Sequence, residues 1–194
     1  PIAGSEKSGV AAALVDLYQH HKVIITPAVN NPGPAVRCIA QMWQACGADV
    51  LSMDIPRHDE VLAATSHLPH MLAFSLVDTL ARQDESLEIF RYAAGGFRDF
   101  TRIAASDPVM WRDIYTANKD AVLNALTQFE EGLATLRTAI EQSDSDAMLR
   151  IFTRAKSARE HFSRILENSA YIPMENKLIH YRAAPAGALS GRLR

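Results

Sequence analysis

The sequence predicts a mainly α-helical chain, in which a helical domain follows the closing strand-helix-strand portion of an open α/β sheet. Three observations carry this. Short β-branched runs with turn punctuation occur only before residue 55, apolar residues from Pro56 onward recur at helical spacing, and one strand-helix-strand unit is too little for a complete sheet.

In chain order, SGVAAALVDLYQHH predicts a first helix. KVIITP is a β-branched strand closed by Pro27, and ADVLSMD returns as a second strand. Between them, PAVRCIAQMWQACG has Pro34 at a helix start and Gly47 just past its end. Val61, Leu62, Leu68, Leu72, Leu76 and Leu80 then predict helix as far as Ala81. ESLEIFRYAA predicts another that stops at Gly95-Gly96, and a short helix begins near Phe97. Asp107 and Pro108 supply an N-cap and a first-turn proline for a helix from Val109 to about Ile140. Uninterrupted, it would be roughly 45 to 50 Å long at 1.5 Å per residue. That exceeds the diameter of a domain of about 115 residues, so part of it is expected to pack on a second chain, making a homodimer. SDSDAMLRIFTRAKSAREHFSRIL is the last helix, capped by Ser143 or Asp144, with Arg150, Arg154, Lys156 and Arg159 on its wet side. The tail from Ile172, with Pro173, Pro185 and Gly187, reads as a linker or arm. The expected division is therefore 1–55, 56–170 and 171–194.

Composition narrows the function. The 194 residues are 48% hydrophobic and 22% charged, with a formal net charge of -2. Basic residues are spread along the chain, which argues against nucleic acid and anionic membranes as partners. Cys38 and Cys46 lie eight apart, too far for a CxxC redox or zinc motif, and read as thiols in a reducing cytoplasm. No run of about 18 apolar residues and no basic-then-apolar leader is present, so the expectation is a cytoplasmic protein with no membrane span. The opening PIAGSEKSGV lacks a methionine, which suggests a piece of something longer.

The stretch HDEVLAATSHLPH holds three of the seven histidines and a proline within a helical pattern. His67 and His70 can share a helical face, but His58 lies about half a turn away in azimuth at 100° per residue. No HExxH, Glu-x-x-His or Cys/His cluster completes a ligand set, so no metal is expected. Pro69 removes an N–H and crowds the carbonyl of Thr65 at a cost of about 3 kcal/mol, which predicts a kink. Such a bend would gather Ser66, His67 and His70 into the wall of a polar pocket; a kinked helix with core histidines is the alternative.

A second polar cluster is YAAGGFRDFTR. Gly95 and Gly96 precede a helix start and would let backbone N–H groups approach an anion. Arg98 and Arg102 are four apart and Asp99 is three before Arg102, so the carboxylate can orient a guanidinium for a substrate carboxylate. An exposed salt bridge worth a few tenths of a kcal/mol is the plainer reading.

PIAGSEKSG, HDEVLAATSHLPHMLAFSLV and GGFRDFTRIAASDPVMWRDI, in this order and spacing, closely resemble the prephenate dehydrogenase family of tyrosine biosynthesis, with its arogenate and cyclohexadienyl dehydrogenase members. The resemblance covers about residues 1 to 168. It implies a truncated Rossmann-like domain binding NAD or NADP, followed by a helical domain that dimerises and completes the substrate site. The implied reaction is oxidation of prephenate or arogenate by hydride transfer with loss of carbon dioxide, giving 4-hydroxyphenylpyruvate or tyrosine. Arg102 matches the arginine that grips a substrate carboxylate, with Arg98, Asp99, Gly95 and Gly96 around it. Ser66, His67 and His70 match polar residues of the catalytic pocket. Ser5 and Glu6 match the end of an HPIAG-type motif beside the cofactor and catalytic centre. The motif's histidine would fall immediately before Pro1, and no GxGxxG fingerprint occurs in the 194 residues. The chain is therefore expected to be inactive alone. PAGALSGRLR resembles the entry to a 3-phosphoshikimate 1-carboxyvinyltransferase domain, as in a bifunctional fusion. A non-catalytic helical dimerisation or regulatory module remains the alternative from another functional class.

Overall fold

A computed structural model describes residues 1–3, 9–10, 13–83 and 86–169 of the chain. By its contacts the chain divides into two units, Pro1–Ser143 and Asp144–Arg194.

The first unit begins with the predicted strand-helix-strand portion. Strands β1 (Lys22–Ile25) and β2 (Asp49–Ser52) are parallel, with Val23 opposite Val50. Both valines are buried, as is Ala48, and they form the core of this portion. Helix α1 (Gly33–Ala45) makes the crossover, with Pro34 in its first turn, where the missing N–H costs nothing. Gly47 ends it at φ +81°, and its absent Cβ would stand 3.0 Å from Cγ of Gln19. Ile2 extends the sheet by donating its N–H to the Lys22 carbonyl at 2.7 Å, in an antiparallel bridge.

The helix expected over SGVAAALVDLYQHH is not formed by its described residues. Residues 15–20 instead make hydrogen-bonded turns that end at His20, whose φ is +60°. Tertiary contacts override the local propensity here. Tyr18 packs edge-on against Trp43 at 5.0 Å, and the His20 N–H donates to the Gly47 carbonyl at 2.9 Å, tying the segment to the end of α1.

The helical part follows. Asp54 caps α2 (Ile55–Leu62) by accepting from the Arg57 N–H at 2.8 Å. A π-helical turn, Ala63–His67, joins α2 to α3 (Leu68–Ala81). Helices α4 (Ser86–Arg91) and α5 (Gly95–Thr101) are short, and a 3-10 turn, Arg102–Ala105, leads on from α5. Then come α6 (Pro108–Ala117) and α7 (Lys119–Glu141). Helix α3 packs on α5, the 3-10 turn and α7, while α7 also crosses α2 and the π-helical turn. The crossing is close because Ala63 and Ala73 are fully buried, and Trp111, Val122 and Ala139 complete the core.

The single long helix predicted from Val109 to Ile140 is broken at Asn118, where φ is -110° and ψ 36°. Hydrogen bonds run across the break: Asn118 N–H reaches Ile114 O at 3.0 Å and Val122 N–H reaches Asn118 O at 3.1 Å. Helix α7 alone is about 34 Å long. Its Phe129, Leu133 and Ile140 fall within about 40° of arc at 100° per residue and are exposed.

In the second unit, α8 (Ser145–Ser169) is capped by Asp144, which accepts from the Ala147 N–H at 2.8 Å. The expected arm and the carboxyvinyltransferase-like PAGALSGRLR lie outside the described residues. Among the described residues no helix is long and apolar enough to cross a membrane.

Candidate active site

The π-helical turn is how the chain accommodates Pro69. Instead of the kink expected from sequence, the backbone widens by one residue, and the Leu68 N–H donates to the Ala63 carbonyl five residues back. Pro69 then falls in the first turn of α3. The widening also places Ser66, His67 and His70 together at the junction. His70 donates from Nδ1 to the Ser66 carbonyl at 2.9 Å, so its side chain bonds the backbone beside the proline.

Helix α6 supplies the other wall. Trp111, 6% exposed, stacks on His70 with ring centroids 3.8 Å apart, and meets His67 edge-on at 6.0 Å. Tyr115 packs on Trp111 at 5.5 Å and donates its hydroxyl to the His67 carbonyl at 3.2 Å. The Asn118 amide donates from Nδ2 to the Asp59 carbonyl at 2.9 Å and lies 3.3 Å from Nδ1 of His67. One buried polar atom stands out: the indole N–H of Trp111 has no hydrogen-bond partner among the described residues. A buried donor left unpaired costs about 1–3 kcal/mol, so an acceptor from outside the protein is favoured at this place.

Burial shifts two titrations in this corner. Burial lowers the pKa of His67 below its ordinary 6.5; His58 and His70 lower it further, while Asp59 opposes them. Burial also pushes the Tyr115 phenol up to about 12. His58 itself pairs with Asp59, Nδ1 to Oδ1 at 2.9 Å. Among the described residues, no group of three or more His, Cys, Asp or Glu could hold a metal ion.

The second predicted cluster sits on α5 and the 3-10 turn, both packed against α3. Gly95 and Gly96 are the first two residues of α5, and a Cβ on either would meet nothing within 4 Å, so packing does not require glycine at these positions. Arg98, Asp99 and Arg102 are exposed. Ser5 and Glu6 lie outside the described residues. The β1–α1 junction does not fit a dinucleotide pyrophosphate. Pro32, its N-cap, and Pro34 have no backbone N–H, and no side chain caps the helix.

The sequence reading missed Trp111, Tyr115 and Asn118. Their spacing of i, i+4 and i+7 marks one helical face, which was the available signal.

Comparison with known proteins identifies the family. Residues 55–154 match the family described as prephenate dehydrogenase, dimerization domain, and residues 1–52 match prephenate dehydrogenase, nucleotide-binding domain. A cyclohexadienyl dehydrogenase of Zymomonas mobilis is 42% identical over 161 residues, covering 82% of this chain and 55% of that protein. A prephenate dehydrogenase of Bacillus subtilis is 39% identical, covering 82% of this chain and 43% of that protein. The crystal structure of Aquifex aeolicus prephenate dehydrogenase in complex with hydroxyphenyl propionate and NAD+ superposes with a TM-score of 0.77 at 40% identity, over 84% of this chain and 57% of that one. The chain spans about half the length of the curated relatives it matches.

Proposed function

This chain belongs to the prephenate dehydrogenase family, and from that premise we propose that it carries the substrate-binding and dimerising part of an enzyme that oxidises prephenate or arogenate. The division proposed is a nucleotide-binding portion over 1–55, the substrate and dimerisation domain over 56–170, and an arm beyond. The observation that carries the reading is the unpaired, buried indole N–H of Trp111 beside His67 and His70. These groups suit an acidic ring substrate: the indole and imidazoles supply hydrogen bonds and flat surfaces, and Arg102, with Arg98 and Asp99, supplies a cation for its carboxylate.

In the reaction, the ring alcohol gives up its O–H proton and its C–H hydride, and the ring carboxylate leaves as carbon dioxide as the ring becomes aromatic. NAD or NADP serves as the hydride acceptor; Ser5 and Glu6 are assigned to its side of the site by family resemblance. The α1 N-terminus, with Pro32 and Pro34, does not suit its phosphates, and the role read for this chain is to bind and orient the acid. The exposed stripe of Phe129, Leu133 and Ile140 on α7 supports a homodimer, since apolar side chains aligned on one helix face gain by burial against a copy. Leu133→Asp should then halve the mass seen by light scattering at micromolar concentration.

Calorimetric titration tests the substrate assignment. Prephenate or arogenate is expected to bind this chain, to bind Arg102→Glu far more weakly without a change in its circular dichroism, and not to be turned over by the chain alone. If neither acid binds, and the chain joined to a complete nucleotide-binding domain also fails to reduce NAD or NADP, the non-catalytic dimerisation module replaces this reading.

A further inference from the structure

Two imidazoles side by side are not equivalent until their protons are placed, and the hydrogen bonds here place both. Nδ1 of His70 faces the Ser66 carbonyl at 2.9 Å, and a carbonyl only accepts, so this nitrogen carries a proton. The partner of His67 is an amide, whose nitrogen and oxygen ends have opposite roles. The orientation of that amide is fixed by its other contact: the Asn118 atom nearest His67 also lies 2.9 Å from the Asp59 carbonyl, and only the NH2 end can donate there. With its second hydrogen directed at Nδ1 of His67 at 3.3 Å, that ring nitrogen must be the unprotonated one. Both contacts use Nδ1 of the ring, so neither engages Nε2.

We propose that Asn118 is a positioning residue that fixes neutral His67 as its Nε2–H tautomer, so that the site offers one imidazole N–H from His67 and one imidazole lone pair from His70. A ligand matched to this pair has an acceptor oxygen, such as a carboxylate or carbonyl, at the first ring and a donor, such as a hydroxyl or ammonium, at the second. Two further features agree. Burial of His67 favours its neutral form, the only one in which the tautomer is a choice. Asn118 sits in the break between α6 and α7, so its departure from helical geometry has a use at His67. The ligand half of this inference rests on the proposed function; the tautomer half does not.

Nitrogen-15 NMR of histidine-labelled chain at neutral pH tests it. In the wild type His67 should show an unprotonated Nδ1 and a protonated Nε2, and His70 the reverse. Asn118→Asp replaces the donor with an acceptor, so the His67 proton should move to Nδ1, while His70 is unchanged and serves as the internal control. A protonated Nδ1 on His67 in the wild type overturns the proposal, whether or not any variant folds.

Binding of hydroxyphenyl propionate gives the readout that a purely structural role would not produce. Asn118→Asp should weaken it about tenfold at pH 8, where His67 would present a lone pair in place of an N–H. Acidification should restore it, because the protonated ring donates from both nitrogens. The charges that bear on this titration are His58 and Asp59 from α2 and His70 from α3, with the neutral Tyr115 from α6. A loss that persists at every pH overturns the positioning role. If the tautomers are as stated but the wild type binds no acid, it is the proposed function that fails.

Discussion

Replacing Trp111 with phenylalanine should leave the fold nearly as stable as before while weakening acid binding, and the reason lies in the unpaired indole nitrogen. The side chain is 6% exposed and contacts His67, His70 and Tyr115. Trimming indole to phenyl removes roughly 40 Å² of buried apolar surface, worth about 1 kcal/mol at ~25 cal/mol per Å². The same change deletes a buried donor with no partner, relieving a desolvation cost of about 1–3 kcal/mol. The two terms oppose, so urea unfolding followed by circular dichroism should find Trp111→Phe within about 2 kcal/mol of wild type.

Trp111→Ala provides the scale. It empties the site and should cost about 3–5 kcal/mol, lowering the melting temperature by roughly 10–15 °C at ~3 °C per kcal/mol. For binding, a lost hydrogen bond to a charged acceptor is worth about 1.5–3 kcal/mol, so hydroxyphenyl propionate should bind Trp111→Phe roughly 10- to 150-fold more weakly. A stability loss above about 3 kcal/mol in Trp111→Phe would mean that the indole N–H is satisfied within the protein. Unchanged affinity would remove the indole from the site.

Three further outcomes follow from the same geometry. Because the folded pKa of His67 lies below 6.5, the unfolded chain binds the extra proton first; the stability from this group is present above pH 6.5 and is lost as pH falls through the lowered value, and His67→Gln should flatten that slope of the urea midpoint. Tyr115 titrates in the opposite sense, its folded pKa of about 12 exceeding 10, so its contribution holds below pH 10 and is lost as pH rises towards 12; ultraviolet titration should show a late phenol that Tyr115→Phe removes. Gly47→Ala should destabilise by about 1–2 kcal/mol from its left-handed backbone, and more from the 3.0 Å approach to Gln19, which chemical unfolding would measure.

The parts legible in the sequence are those with local punctuation. Pro34 and Gly47 bracket α1, Asp107 caps α6 by accepting from the Val109 and Met110 N–H groups at 2.7 and 3.1 Å, and Asp144 caps α8. Residues 15–20 were misread because their alanine- and leucine-rich neighbourhood favours helix, while the contacts that decide the conformation, Tyr18 on Trp43 and His20 on Gly47, are about 25 residues away. The break at Asn118 has no proline or glycine to mark it, and an asparagine inside a helix costs only about 0.7 kcal/mol, less than the bonds its amide gains across 51 and 59 residues. Of the site, the histidine cluster was legible because Pro69 flagged its position; the wall from α6 was not, because Trp111, Tyr115 and Asn118 meet the histidines only through contacts about 40 to 60 residues apart in the chain.

Pro69 and Asn118 are two breaches of helical regularity on different elements, and both act on the same pair of rings. At Pro69 the ladder lengthens into a π-helical turn, and the His70 imidazole bonds the Ser66 carbonyl next to the missing N–H. At Asn118 the helix restarts, and the amide holds α2 through the Asp59 carbonyl while it faces His67. Either irregularity alone could be strain tolerated by a stable core. Together they set the proton of His70 on Nδ1 and that of His67 on Nε2, a difference that two histidines on a regular helix would have no reason to keep. That convergence is why the proposed ligand site is centred on the junction between α2 and α3 rather than on the exposed arginine cluster.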